Sequence, residues 1–107
     1  MPACQVRQGF QEVIYQRALA WELKQAGLSF QWEIEQHIFY KELPEPIGTR
    51  RADFVVEGKV LVELKAVIEL EDVHLAQVLN YLKAYRLEVG LLINFGCKSL
   101  TFKRLVL

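Results

Sequence analysis

Two β-rich runs, ADFVV (52–56) and KVLVELKAV (59–67), stand either side of Glu57-Gly58. No other feature limits the fold as tightly. Branched and aromatic residues bounded by a glycine turn read as an antiparallel hairpin. In a strand, positions i and i+2 share a face, so Glu63 and Lys65 stand side by side with Leu64 on the reverse. Loop parity then decides what faces them. A two-residue loop pairs Asp53 with Val62 and turns Glu63 to the other side. A three-residue loop, with Gly58 in the left-handed conformation of a bulge, pairs Asp53 with Leu61 and brings Glu63 and Lys65 onto Asp53's face. We expect the odd loop.

The hairpin sits within a regular alternation of elements. Gly9 to Ala26 reads as a helix: Ile14, Ala18 and Trp21 recur at helical spacing, as do Tyr15, Leu19 and Leu23, and Gly27 is a stop. QWEIEQHIFYKE (31–42) alternates like a half-buried strand, and PEPIG (44–48) breaks it. Asp72 to Tyr85 is helical, with Leu75, Val78, Leu79 and Leu82 as the buried stripe. VGLLINF (89–95) is an apolar run of strand length, and LTFKRLVL (100–107) is a last, more polar strand. The order α-β-β-β-α-β-β specifies an α/β sandwich, a mixed central sheet flanked by helices.

A second Glu-Leu-Lys at 22–24 falls in the first helix. There, positions i and i+2 point about 200° apart, so Glu22 and Lys24 cannot serve one site.

At 107 residues the chain fits one domain, 1–107, without repeat or linker. Thirteen acidic and thirteen basic residues balance, so a nucleic-acid ligand needs a local patch rather than a global field. Cys4 and Cys97 form no CxxC or paired framework, and no signal peptide or membrane span is evident. We therefore expect a cytoplasmic protein with reduced thiols.

Asp53, Glu63 and Lys65 converging on a sheet face suit one chemistry. Carboxylates are hard oxygen ligands for Mg²⁺, which needs only one or two of them and keeps several waters. A metal there activates water and stabilises charge in phosphoryl chemistry, while the lysine orients the attacking water or, when neutral, takes its proton. An isolated D…ExK is more often a salt bridge on a strand. Three further features shift the balance. Gln77 and Tyr81 lie one turn apart on one helix face, with His74 on the same side. Glu12 projects between Leu19 and Leu23 on the apolar side of the first helix, a costly place for an unpartnered carboxylate. Glu22 also falls among apolar neighbours, so periodicity does not choose between the two. Arg50 and Arg51 precede the Asp53 strand, where they could meet phosphates.

Together, Asp53, Glu63-Leu64-Lys65 and Gln77-x-x-x-Tyr81 resemble the D…ExK plus QxxxY pattern of the PD-(D/E)XK nuclease superfamily. More narrowly, the chain is similar to the prokaryotic GxxExxY proteins. The naming motif stands at Gly9-Phe10-Gln11-Glu12-Val13-Ile14-Tyr15, and the likeness continues through RALAWEL (17–23), GTRRADFVVEGK (48–59), VELKAV (62–67), VHLAQVLNYLKAY (73–85) and GLLINFG (90–96).

The resemblance implies a restriction-endonuclease-like core and a Mg²⁺- or Mn²⁺-dependent site that hydrolyses phosphodiesters in DNA or RNA. Asp53 and Glu63 would be the metal ligands, joined by the Leu64 carbonyl, and Lys65 the catalytic lysine. It selects Glu12 as the additional acidic residue, and gives Gln77 and Tyr81 the task of ordering the site or contacting nucleic acid. His74 belongs to the family's VHxAQ run with no assigned role. The competing reading is a nuclease-fold module that binds nucleic acid or a protein without cleaving. Family members carry an extra helical segment before the naming motif, where this chain has only MPACQVRQ. The apolar surface so left open leads us to expect a homodimer.

Overall fold

In a computed structural model describing residues 11–96 and 100–107, the elements are α1 (Gln11–Gln25), β1 (Phe30–Ile38), β2 (Gly48–Val56), β3 (Val60–Lys65), α2 (Asp72–Tyr85), β4 (Val89–Asn94) and β5 (Thr101–Val106). The expected order holds. Gly9 and Phe10, which open the naming motif, and Cys4 and Cys97 lie outside the described residues.

The five strands form one mixed sheet in the order β1-β2-β3-β4-β5. Strand β4 runs parallel to β3 through the α2 crossover, and the remaining neighbours are antiparallel. This is why VGLLI (89–93) is apolar: a strand with a partner on each edge and a packed layer on both faces has no wet side. Strand β2 is longer than ADFVV. Gly48 to Arg51 also pair with β1, so both arginines lie within the strand.

One helix covers each face. On one side Ala20 of α1 packs on Phe54, Val56, Val62 and Leu64, with Tyr15, Leu19 and Leu23 around them. On the other, Val78 and Leu82 of α2 pack on Ala52, Leu61 and Leu92. Of the two apolar stripes on α1, only Tyr15–Leu19–Leu23 is used. The other faces outward, with Trp21 61% exposed. Tyr15 also stacks on Phe95, just past β4, with ring centroids 4.3 Å apart.

The β2–β3 loop has three residues, Glu57, Gly58 and Lys59, so the odd parity is as expected. The register differs by two positions from the expected one. Val55, not Asp53, pairs with Leu61. The reason is that β2 runs on to Val56 and the left-handed turn takes two residues, Glu57 (φ 55°) as well as Gly58 (φ 64°). Glycine adopts that backbone freely; glutamate there needs outside support. Ser29 supplies it, since its N–H and hydroxyl both donate to the Glu57 carboxylate and its carbonyl accepts the Glu57 N–H at 2.8 Å. A shift of two leaves every side chain on its face.

Candidate active site

Strand β2 is interrupted at Asp53, and that interruption builds the site. Pairing with β3 ends at Phe54–Val62, one step before Asp53 and Glu63 would face each other. On the β1 side the ladder skips the same level, where Glu33 opposes Asp53 with a left-handed φ of 55°. The strand turns over here. Phe54 packs in the α1-side cluster and Ala52 in the α2-side cluster, although residues two apart in a regular strand share a face. The Ala52 N–H donates to the Tyr85 hydroxyl of α2 at 3.2 Å.

As a result Asp53 does not simply stand on the α2 face, as parity alone would have it. Its carboxylate lies in the gap between the strands, where Oδ2 accepts the Leu64 N–H at 2.7 Å in place of a strand carbonyl. The Gln16 side-chain amide of α1 approaches Oδ1 at 3.4 Å. From the other face Glu63 completes the contact. Its carboxyl is buried, 5% exposed, and lies within hydrogen-bonding reach of Asp53. Burial, followed by the Asp53 charge and hydrogen bond, pushes the Glu63 carboxyl up to about 9, while the Lys65 charge pulls the other way. Near neutral pH Glu63 therefore carries a proton. One of its oxygens, Oε1, has no hydrogen-bond partner. A buried oxygen without a donor is costly, and it leaves Glu63 with an unanswered acceptor.

Those two groups fit a divalent cation. Among the described residues no cluster of three His, Cys, Asp or Glu side chains comes together. A site of two carboxylates suits a hard cation that keeps most of its waters, as Mg²⁺ does. Asp53 and Glu63 would hold it, with Glu63 giving up its proton.

The remaining sequence-derived residues fall at differing places. Lys65 ends β3, half-buried, on the same face as Glu63. Gln77 and Tyr81 meet each other at 3.4 Å, half-buried on α2, and the next residue of that stripe is Tyr85, which touches Ala52 beside Asp53. Glu12 is exposed on the first turn of α1, one turn before Gln16. Arg51 is exposed and forms an ion pair with Glu35, its direct cross-strand neighbour, at 3.1 Å. His74 caps α2: its Nδ1 accepts the Glu71 N–H at 2.8 Å, and the Glu71 side chain bonds the His74 N–H in return.

Gln16 is the residue that sequence reasoning missed. Glu12, Gln16, Leu19 and Leu23 share one face of α1, so a buried polar residue one turn from Glu12 was readable in principle. What hid it was the acidic residue beside it, which fits metal chemistry better on paper.

Among curated proteins, no sequence matches the chain. Among solved structures, the crystal structure of SSO0001 superposes with a TM-score of 0.67 at 18% identity, covering 90% of this chain and 50% of that one. The likeness is one of fold, and the chain spans half the length of that neighbour. A family model described as the PD-(D/E)XK nuclease superfamily matches residues 4–105, almost end to end, including the interrupted β2 and the Glu63–Lys65 strand. This chain belongs to the PD-(D/E)XK nuclease superfamily.

Proposed function

We propose that the chain is a metal-dependent nuclease that hydrolyses phosphodiester bonds in DNA or RNA, of the GxxExxY type within its superfamily. The observation that carries this reading is the buried Glu63 carboxyl, held against Asp53 with one oxygen unpartnered. A binding module has no use for a buried carboxyl, Glu63, that resists ionisation beside a second carboxylate. A cation has.

Asp53 and Glu63 would hold Mg²⁺ or Mn²⁺, joined, as the resemblance implies, by the Leu64 carbonyl. When bound, the metal supplies an activated water and charge stabilisation at phosphorus. The Lys65 amino group orients the attacking water from the end of β3. Gln16 fixes the Asp53 carboxylate, while Gln77 and Tyr81 order the α2 side. Glu12 and Arg51, both at the surface, meet the nucleic acid or its cations at the rim. With no net charge on the chain, substrate is gathered by such local contacts. No helix among the described residues is long and apolar enough to cross a membrane. On the GxxExxY likeness, we propose a place in the prokaryotic cytoplasm. The outward stripe of α1, with Ile14 and Trp21, supports assembly as a homodimer.

The test is cleavage of plasmid and single-stranded substrates with Mg²⁺ or Mn²⁺, for wild type, Asp53→Ala and Lys65→Ala. Wild-type cleavage lost in both variants supports the reading. Activity that survives both substitutions, without divalent-ion binding by calorimetry, rules it out. Salt-sensitive binding of nucleic acid without cleavage identifies a binding module instead.

A further inference from the structure

The motif GLLINFG places one polar residue in an apolar strand. Asn94 is 1% exposed, so its amide must be fully answered from within the protein. Its Oδ1 accepts the Val67 N–H at 3.0 Å and the Gly96 N–H at 2.9 Å, and its Nδ2 donates to the Val67 carbonyl at 2.9 Å. Both backbone groups of Val67 are thus gripped by one side chain. In the parallel β3–β4 register Asn94 stands beside Lys65, and the Lys65 carbonyl accepts the Phe95 N–H at 2.8 Å. Gly96 closes the arrangement. A Cβ there would lie 2.2 Å from the Val67 carbonyl oxygen, so only glycine lets the two segments approach this closely.

The chain leaves β3 at Lys65 and passes through this clamp before the α2 cap at Glu71. A backbone leaving a strand is usually free to swing; here it is fixed two residues past the lysine. We infer that Asn94 is a positioning residue for Lys65, holding Val67 so that the amino group of Lys65 stays aimed at the Asp53–Glu63 site. The inference rests on the nuclease reading and deepens it.

The experiment compares wild type, Asn94→Asp and Asn94→Leu as full chains. Asp keeps the acceptor for Val67 and Gly96 but loses the donor to the Val67 carbonyl, and Leu loses all three bonds. Amide exchange at Val67 and Gly96 is expected to stay slow in Asn94→Asp and to become fast in Asn94→Leu. The kcat per folded molecule, measured well below each melting temperature, is expected to fall about tenfold and about 100-fold respectively, the range for a misplaced reacting group. KM and Mn²⁺ affinity are expected to stay within about twofold, because the carboxylates lie upstream of the clamp. A purely structural role would lower the folded fraction and leave kcat per folded molecule unchanged, and that result overturns the inference. So does a loss of Mn²⁺ affinity as large as the loss of kcat. If wild type shows no metal-dependent cleavage, the nuclease reading and the role at Lys65 fall together. Fast exchange at Val67 in Asn94→Leu would then establish the clamp as structural alone.

Discussion

The Asp53 carboxylate accepts the Leu64 N–H at 2.7 Å, doing for β3 what the backbone of β2 would otherwise do. A metal-ligand candidate is thereby also a piece of the sheet, and the two roles separate under mutation. Asp53→Asn keeps an acceptor for Leu64 and is expected to hold stability within about 1 kcal/mol of wild type while losing divalent-ion binding. Asp53→Ala leaves the Leu64 N–H unanswered and is expected to cost about 1–3 kcal/mol as well. Denaturant titration beside calorimetry with Mn²⁺ reads both.

Glu63 predicts the pH behaviour. Its folded pKa, about 9, lies above the unfolded value of 4.5, so the native state binds the extra proton. Its contribution to stability is complete below the unfolded value and is lost as pH rises through the folded one. Without divalent ion, stability is expected to decline across that window, and Glu63→Gln to remove this part of the decline. Cation binding must expel the proton, so apparent affinity should rise with pH towards about 9. Calorimetry in two buffers of different ionisation enthalpy should count close to one proton released.

Gln16→Leu removes the amide facing Asp53 from the α1 side. A group that orients a ligand typically costs about 10–100-fold in metal affinity when lost. The expected result is Mn²⁺ binding at least about tenfold weaker, with a melting temperature close to wild type. Equal affinity in the two proteins would remove Gln16 from the site.

Gly96→Ala drives a methyl group into the Val67 backbone, where no flexible side chain can yield. Gly58→Ala meets open space and suffers only from its left-handed backbone. Gly58→Ala is expected to cost about 1 kcal/mol, and Gly96→Ala several-fold more. Chemical denaturation midpoints distinguish them.

Much of this molecule was legible in the sequence because its signals were periodic. The α2 stripe and the apolar β4 follow from spacing alone, whereas the odd hairpin loop was expected because only it brings Glu63 and Lys65 onto Asp53's face. The site was legible only in part, because its geometry departs from periodicity. Nothing local in ADFVV announces that β2 turns over at Asp53; that follows from Glu33 across the sheet and from Tyr85 on α2. Likewise the two stripes of α1 were equivalent by spacing. Which one is buried depends on where Phe95 and Phe54 sit, a tertiary fact.

The stack of Tyr15 on Phe95 spans more than a core contact should. Tyr15 precedes Gln16, which steadies Asp53, and Phe95 lies between Asn94, which grips the chain beyond Lys65, and Gly96, whose N–H donates to Asn94. The two aromatic rings therefore act as an axle between two parts of the site that come from opposite faces of the sheet. The helix beside Asp53 and the segment beyond Lys65 thus meet at one half-buried hydrophobic joint.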